Sequence, residues 1–147
     1  METWELAARE RIRDSFAQYT HAGDHFPLVG VADAFCEDGV LEPLGGEPVR
    51  GRATIEAFRI AARQRSGGVG AERILRHNVS NIWFQSVTRQ EARVLSCYTV
   101  FSDIGLDHFG RYTDRFVPVG DRWLIAHRLV TMDWRNSQSG FEGVRRP

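Results

Sequence analysis

From residue 73 onward the chain reads as four long extended segments, "RILRHNVSNIWFQSV", "EARVLSCYTVFSD", "DHFGRYTDRFVPV" and "RWLIAHRLVTMDW", dominated by β-branched and aromatic residues. The breaks between them, "TRQ", "IGLD" and "GD", are too short to carry a crossover connection. Successive strands must therefore fold back on one another, and "VGDRW" is a strong hairpin signal. The result is an antiparallel meander on which everything earlier in the chain has to pack.

What comes earlier has helical spacing. Over 3–20, Trp4, Ala8, Ile12, Phe16 and Tyr19 recur at steps of three and four, which places one apolar stripe on a helix. The segment "FPLVGVADAFCED" reads as a second, shorter helix starting near Pro27, with Asp24 at its N-terminal boundary, where an aspartate can cap it. "GVLEP" reads as a short strand and "LGGEPVRG" as a turn. A third helix, "RATIEAFRIAARQRS", carries Ile55, Phe58 and Ala62 at helical spacing and is stopped by "GGVG". Three helices followed by strands predict an α+β fold with the helices on one face of a bent sheet. At 147 residues and 42% apolar, the chain is sized for a single domain over 1–147. Its core spans about residues 4–134, with a polar, loose tail at 135–147.

Charge and cysteine usage exclude several function classes. Lys+Arg and Asp+Glu each total 19, so no net basic field exists to hold nucleic acid or an anionic membrane. Cys36 and Cys97 form neither a CxxC pair nor a metal-ligand spacing, and we expect reduced thiols in a cytoplasmic protein. No apolar run approaches the roughly 20 residues of a membrane span. Phosphate-binding glycine loops, HExxH and a nucleophile elbow are all lacking from the sequence.

The strands raise a different question, because their polar residues fall where a core should be. Alternation groups His77, Val79, Asn81 and Trp83 on one face of their strand, and Val94, Ser96, Tyr98 and Val100 on one face of the next. It likewise groups His108, Gly110, Tyr112, Asp114 and Phe116, and then Trp123, Ile125, His127 and Leu129. Tyr, His and Asn mixed with apolar neighbours fit a cavity between helices and sheet that holds a few convergent polar groups. Each residue also has a plainer reading. A strand histidine is ordinarily a hydrogen-bonded structural residue, and buried tyrosines are core aromatics whose hydroxyls find a partner. Trp83 and Trp123 suit core or interface, and Arg111, Asp114, Arg115 and Arg128 suit cross-strand ion pairs on a solvated or subunit-facing surface.

Taken together, "YTHAGDHF…ADAFCEDGVLEP", "VRGRATIEAF", "RHNVSNIWF" and "GRYTDRFVPVGDRWLIAHRLV" resemble the SnoaL-like group of the nuclear transport factor 2 superfamily over about residues 4–134. That superfamily includes scytalone dehydratase, limonene epoxide hydrolase, ketosteroid isomerase and the small subunit of ring-hydroxylating dioxygenases. The resemblance implies a cone-shaped barrel of a strongly curved, mostly antiparallel sheet, with three N-terminal helices enclosing a cavity. The nearest functional pattern is that of scytalone dehydratase, in which an Asp before the second helix supports a His on the first long strand. Here those positions are Asp24 and His77.

A carboxylate on one imidazole nitrogen fixes the tautomer and makes the other nitrogen a base near neutral pH. Asp24 and His77 with Tyr19 are thus the expected catalytic residues, and Tyr98, His108, Tyr112, Trp83 and His127 the expected substrate contacts. The chemistry expected is a cofactor-free, metal-free lyase acting by dehydration or retro-aldol-type cleavage on a small aromatic or polyketide-like substrate, and the family resemblance implies formaldehyde release from a lignin-derived substrate as a variant within that class. An isomerase or cyclase would use the same base. A non-catalytic binding module or dioxygenase-type small subunit is the rival class. A homodimer or homotrimer is expected, because a sheet face not covered by helices wants a partner.

Overall fold

The computed structural model describes residues 1–25, 27–66 and 74–141. Helix α1 runs Thr3–Asp24 and α2 runs Arg52–Ser66, with strands β1 Phe35–Glu42, β2 Val49–Arg50, β3 Leu75–Val87, β4 Ala92–Ser102, β5 Gly105–Val119 and β6 Arg122–Arg135. They form one sheet in the order β2-β1-β6-β5-β4-β3. All neighbours are antiparallel except β1 and β6. The fold is α+β, and the four-strand meander is present. The sheet is open rather than closed into a barrel, with β2 and β3 as its edges.

The second expected helix is reduced to a single 3₁₀ turn, Val31–Ala34, so the described residues hold two α-helices rather than three. The segment "FCED" belongs instead to β1, where Phe35 is fully buried against the core. Asp24 is therefore not an N-cap; it is the last residue of α1. Glu56 of α2 accepts the Gly30 and Ala32 backbone N–H groups at 2.7 and 2.8 Å, which ties α2 to the 3₁₀ turn. The "GGVG" stop signal after α2 lies outside the described residues.

The α1 stripe buries as its spacing predicts: Ala8, Ile12, Phe16 and Tyr19 all face the sheet. Phe16 meets Phe116 of β5 with ring centroids 5.3 Å apart. Full burial of side chains of this size contributes roughly 1.5–3 kcal/mol each. At the β5–β6 hairpin, Gly120 takes φ +58°, as the turn signal requires.

The strands are not regular, and the irregularities decide what faces inward. Between Ser80 and Trp83 the β3 strand uses one more residue than β4 opposite it, and Asn81 there has φ 51°, the one positive value for a non-glycine among the described residues. An extra residue rotates the rest of a strand by half a turn. Trp83 is therefore 62% exposed, while Phe84 enters the core. The same happens in β6, where Phe116 pairs with Ile125 but Arg115 with His127. Trp123 and Ile125 are buried, then Arg128 rather than His127 turns inward. In β5 an extra residue at Asp107 makes both Asp107 and His108 buried.

Gly110 leaves no room for a side chain against β6: a Cβ there would lie 1.9 Å from the Thr131 carbonyl oxygen. Tyr98 pairs with Gly110, and its hydroxyl donates to that same carbonyl at 2.8 Å, so the ring lies across β5 where a side chain is missing.

Candidate active site

The α1 helix packs on β3, which brings its last turn to the edge of the sheet. There Asp24 accepts the His77 backbone N–H at 3.1 Å to each carboxylate oxygen, and His77 Nδ1 lies 2.6 Å from Asp24 Oδ1. A carboxylate at a helix C-terminus works against the helix dipole. The hydrogen bonds to His77 offset that cost and also satisfy an N–H on a free sheet edge. The two side chains are 10% and 15% exposed. With Nδ1 engaged, Nε2 is the imidazole nitrogen left for a ligand.

His77 lines a small inner chamber of about 50 Å³ together with Tyr19, Arg59, Tyr98, His108 and Tyr112. Next to it lies a larger chamber of about 260 Å³, walled by Leu41, Leu44, Phe58, Val130 and Phe141. Leu44, Arg59, Ala62, Val130 and Phe141 border both.

The three tyrosines form one stack. Tyr98 lies on Tyr112 with centroids 4.7 Å apart, and Tyr19 meets Tyr112 edge-on at 6.2 Å. Their hydroxyls are not equivalent. Tyr98 gives its proton to Thr131, whereas Tyr19 and Tyr112 have no hydrogen-bond partner among the described residues. Burial pushes the Tyr98 and Tyr112 hydroxyls above the ordinary phenol range, so both stay protonated donors at neutral pH.

Behind the stack, Arg128 is completely buried, with Nε and Nη2 bonded to the two Asp114 oxygens at 2.7 and 2.8 Å. Its guanidinium carbon sits 4.0 Å from the Tyr112 ring centroid and 4.4 Å from that of Tyr19. Burial works against its charge, but the Asp114 carboxylate outweighs burial and holds Arg128 above its ordinary range. The expected surface ion pair is thus an internal one, because the β6 irregularity turns Arg128 inward. Arg111 does pair across strands at the surface, with Asp133 at 3.0 Å.

His108 forms a second imidazole–carboxylate pair, with Nδ1 2.7 Å from Asp107 Oδ1. Burial pushes His108 below the usual histidine value, against the pull of Asp107. Ser102 and Ser139 also donate to Asp107, and the Phe141 ring stacks on His108 at 4.6 Å. Ser139 and Phe141, within the segment read as a loose tail, thus pack on the Asp107–His108 pair, and Phe141 lines the chamber; residues 142–147 are outside the described part.

Of the expected site residues, Tyr19, His77, Tyr98, His108 and Tyr112 line the inner chamber, and Asp24 reaches it through His77. Trp83 and His127 do not. Trp83 is turned to solvent by the Asn81 irregularity. His127 sits on the outer face, with Nε2 2.9 Å from Glu42. Sequence reading missed Arg59 and Asp107. Arg59 follows Ile55 by four residues, so helical spacing alone places it on the buried face.

The family model that describes a SnoaL-like domain matches residues 4–129. The chain belongs to the SnoaL-like family. Among solved structures, this SnoaL-like chain is similar to a candidate scytalone dehydratase from Novosphingobium aromaticivorans, at 20% identity and TM-score 0.75 over 95% of this chain and 91% of that one. It is also similar to the beta subunit of a candidate aromatic-ring-hydroxylating dioxygenase from the same organism, at 19% identity and TM-score 0.70 over 97% and 100%. A third is an NTF2-like protein with a cystatin-like fold, again from that organism, at 20% identity and TM-score 0.72 over 91% and 87%. At these identities the structural likenesses establish the fold. Among the curated proteins no sequence matches this chain. Among the described residues no cluster of three or more His, Cys, Asp or Glu is placed to hold a metal ion, and no helix is long and apolar enough to cross a membrane.

Proposed function

We propose that this chain is a cofactor-independent lyase that eliminates a β-leaving group from a small aromatic or polyketide-like substrate. The observation that carries this reading is the Asp24–His77 pair at the wall of an otherwise largely apolar cavity. Asp24 holds the proton on Nδ1, so Nε2 takes a proton from the carbon next to a substrate carbonyl. Negative charge then builds on the carbonyl oxygen, where the Tyr19 and Tyr112 hydroxyls are available as donors. The bond from the β-carbon to oxygen breaks, and the imidazolium returns its proton to the departing oxygen, which leaves as water. In retro-aldol cleavage the same base takes the proton of a hydroxyl on the β-carbon, and the bond between the α- and β-carbons breaks to give an enolate and an aldehyde (formaldehyde from a terminal hydroxymethyl group). The imidazolium then returns the proton to the α-carbon.

Two accompanying features belong to the same proposal. The outer sheet face exposes Trp83, Phe101, Leu106 and Trp134, which supports a homodimer or homotrimer. The two free thiols, Cys36 and Cys97, support a cytoplasmic setting.

A panel of aryl β-hydroxy ketones, including ones with a hydroxymethyl group on the carbon next to the carbonyl, followed for loss of water by absorbance and for formaldehyde release, tests the reading. With the active compound in hand, His77→Asn should lower kcat by about 10²–10⁴. Full turnover by a folded His77→Ala protein would remove His77 from the chemistry.

A further inference from the structure

Arg59 stands between the two chambers, without an acidic partner among the described residues. It comes from the third turn of α2, and Glu56, one turn earlier, is occupied by the Gly30 and Ala32 N–H groups. No carboxylate lies within ion-pair distance of Arg59 among the described residues, and its Nε is buried without a hydrogen-bond partner. One ring contact is present, with its guanidinium carbon 5.6 Å from the centroid of Tyr19. The two aspartates nearest the inner chamber are both occupied: Asp24 accepts from the His77 backbone N–H and ring, and Asp107 is engaged by His108, Ser102 and Ser139. A guanidinium held in a low-dielectric cleft with open donors is poised for an anion, and its planar fork matches a carboxylate.

We infer that the substrate of this chain carries a carboxylate, which Arg59 binds at the junction of the two chambers while the reacting carbon faces His77. The inference rests on the lyase reading only in taking this cavity as the substrate site. The apolar outer chamber, with Leu41, Leu44 and Phe58, receives the aromatic body of the acid. The positive charge of Arg59 also reaches Tyr98, Tyr112 and His108, on each of which it acts to lower the proton affinity. A bound carboxylate would neutralise that field, so the acid itself completes the charge balance of the site.

The test is binding and needs no turnover. Titration calorimetry on the full chain compares sodium benzoate with benzyl alcohol, which has a similar ring and no charge. Wild type should bind benzoate at least about tenfold more tightly, the scale of a charge-assisted hydrogen-bond pair. Arg59→Gln should abolish that preference, and Arg59→Lys should recover part of it. His77→Asn should keep it, which separates this inference from the role of His77 as base. Equal affinity of the wild type for the two compounds would overturn the inference without recourse to any variant. So would benzoate binding unchanged in a folded Arg59→Gln protein.

Discussion

The Arg128–Asp114 pair allows a test in which the double variant should be less destabilised than either single one. Both side chains are 0% exposed, two hydrogen bonds of 2.7 and 2.8 Å join them, and Arg128 Nη1 has no further acceptor among the described residues. Arg128→Met leaves a carboxylate buried beside the tyrosine stack, and Asp114→Leu leaves a guanidinium there. Removing one partner of a buried pair costs roughly 3–5 kcal/mol. Against a typical domain stability of about 5–15 kcal/mol, each single variant should lose roughly a fifth or more of the total. The double variant removes both charges and both desolvation penalties, and the Met thioether keeps contact with the rings that now stack on the guanidinium. It should lie within about 2 kcal/mol of wild type. The cycle therefore predicts a coupling of at least about 3 kcal/mol, read from urea unfolding by tryptophan fluorescence. The midpoints should also shift little between low and high salt, since a buried pair is poorly screened. Coupling below about 1 kcal/mol, with the double variant as unstable as the summed singles, would refute the pairing.

Three further outcomes follow from the geometry. Gly110→Ala puts a methyl group against the Thr131 carbonyl, a contact between two backbones that cannot rotate away; it should cost about 3 kcal/mol, seen as a drop of roughly 6–12 °C in Tm. Burial holds His108 below its ordinary value of 6.5, so the unfolded chain takes up that proton at higher pH than the folded one. Stability should therefore be full above that pH and fall as pH drops through the folded value, and His108→Asn should flatten the decline in urea midpoints; a profile the variant leaves unchanged would refute the assignment. Light scattering after size exclusion should find a dimer or trimer that Trp83→Ser weakens, and a monomeric wild type would count against the exposed face as an interface.

Much of the architecture could be read from spacing alone, because α1, α2, β4 and most of β5 obey their periods. On β4 and β5 the inward set Val94, Ser96, Tyr98 and Val100, and His108, Gly110, Tyr112, Asp114 and Phe116, is the set that alternation groups together. Alternation failed where one residue was added to a strand. Asn81 and Ala126 each reverse the faces that follow, which misplaced Trp83 and exchanged His127 for Arg128. A clue to the second error lay in β5: an aspartate on the core face needs a cation, and Arg128 is its cross-strand neighbour. For the site, the Asp24–His77 geometry followed from the family resemblance and not from spacing, since the two are far apart in sequence. The spacing of the second helix runs into Phe35–Asp38, whose start is as apolar as a helix face, yet Phe35 opens β1 and pairs with Ile125 of β6.

Asp24 also serves as a cover for the outermost strand. Substituting it to disarm the imidazole would at the same time bare a backbone donor that another chain's strand can occupy. Loss of activity in such a protein should then come with a tendency to stick to itself edge to edge, and the concentration dependence of the variant's scattering will tell the two effects apart.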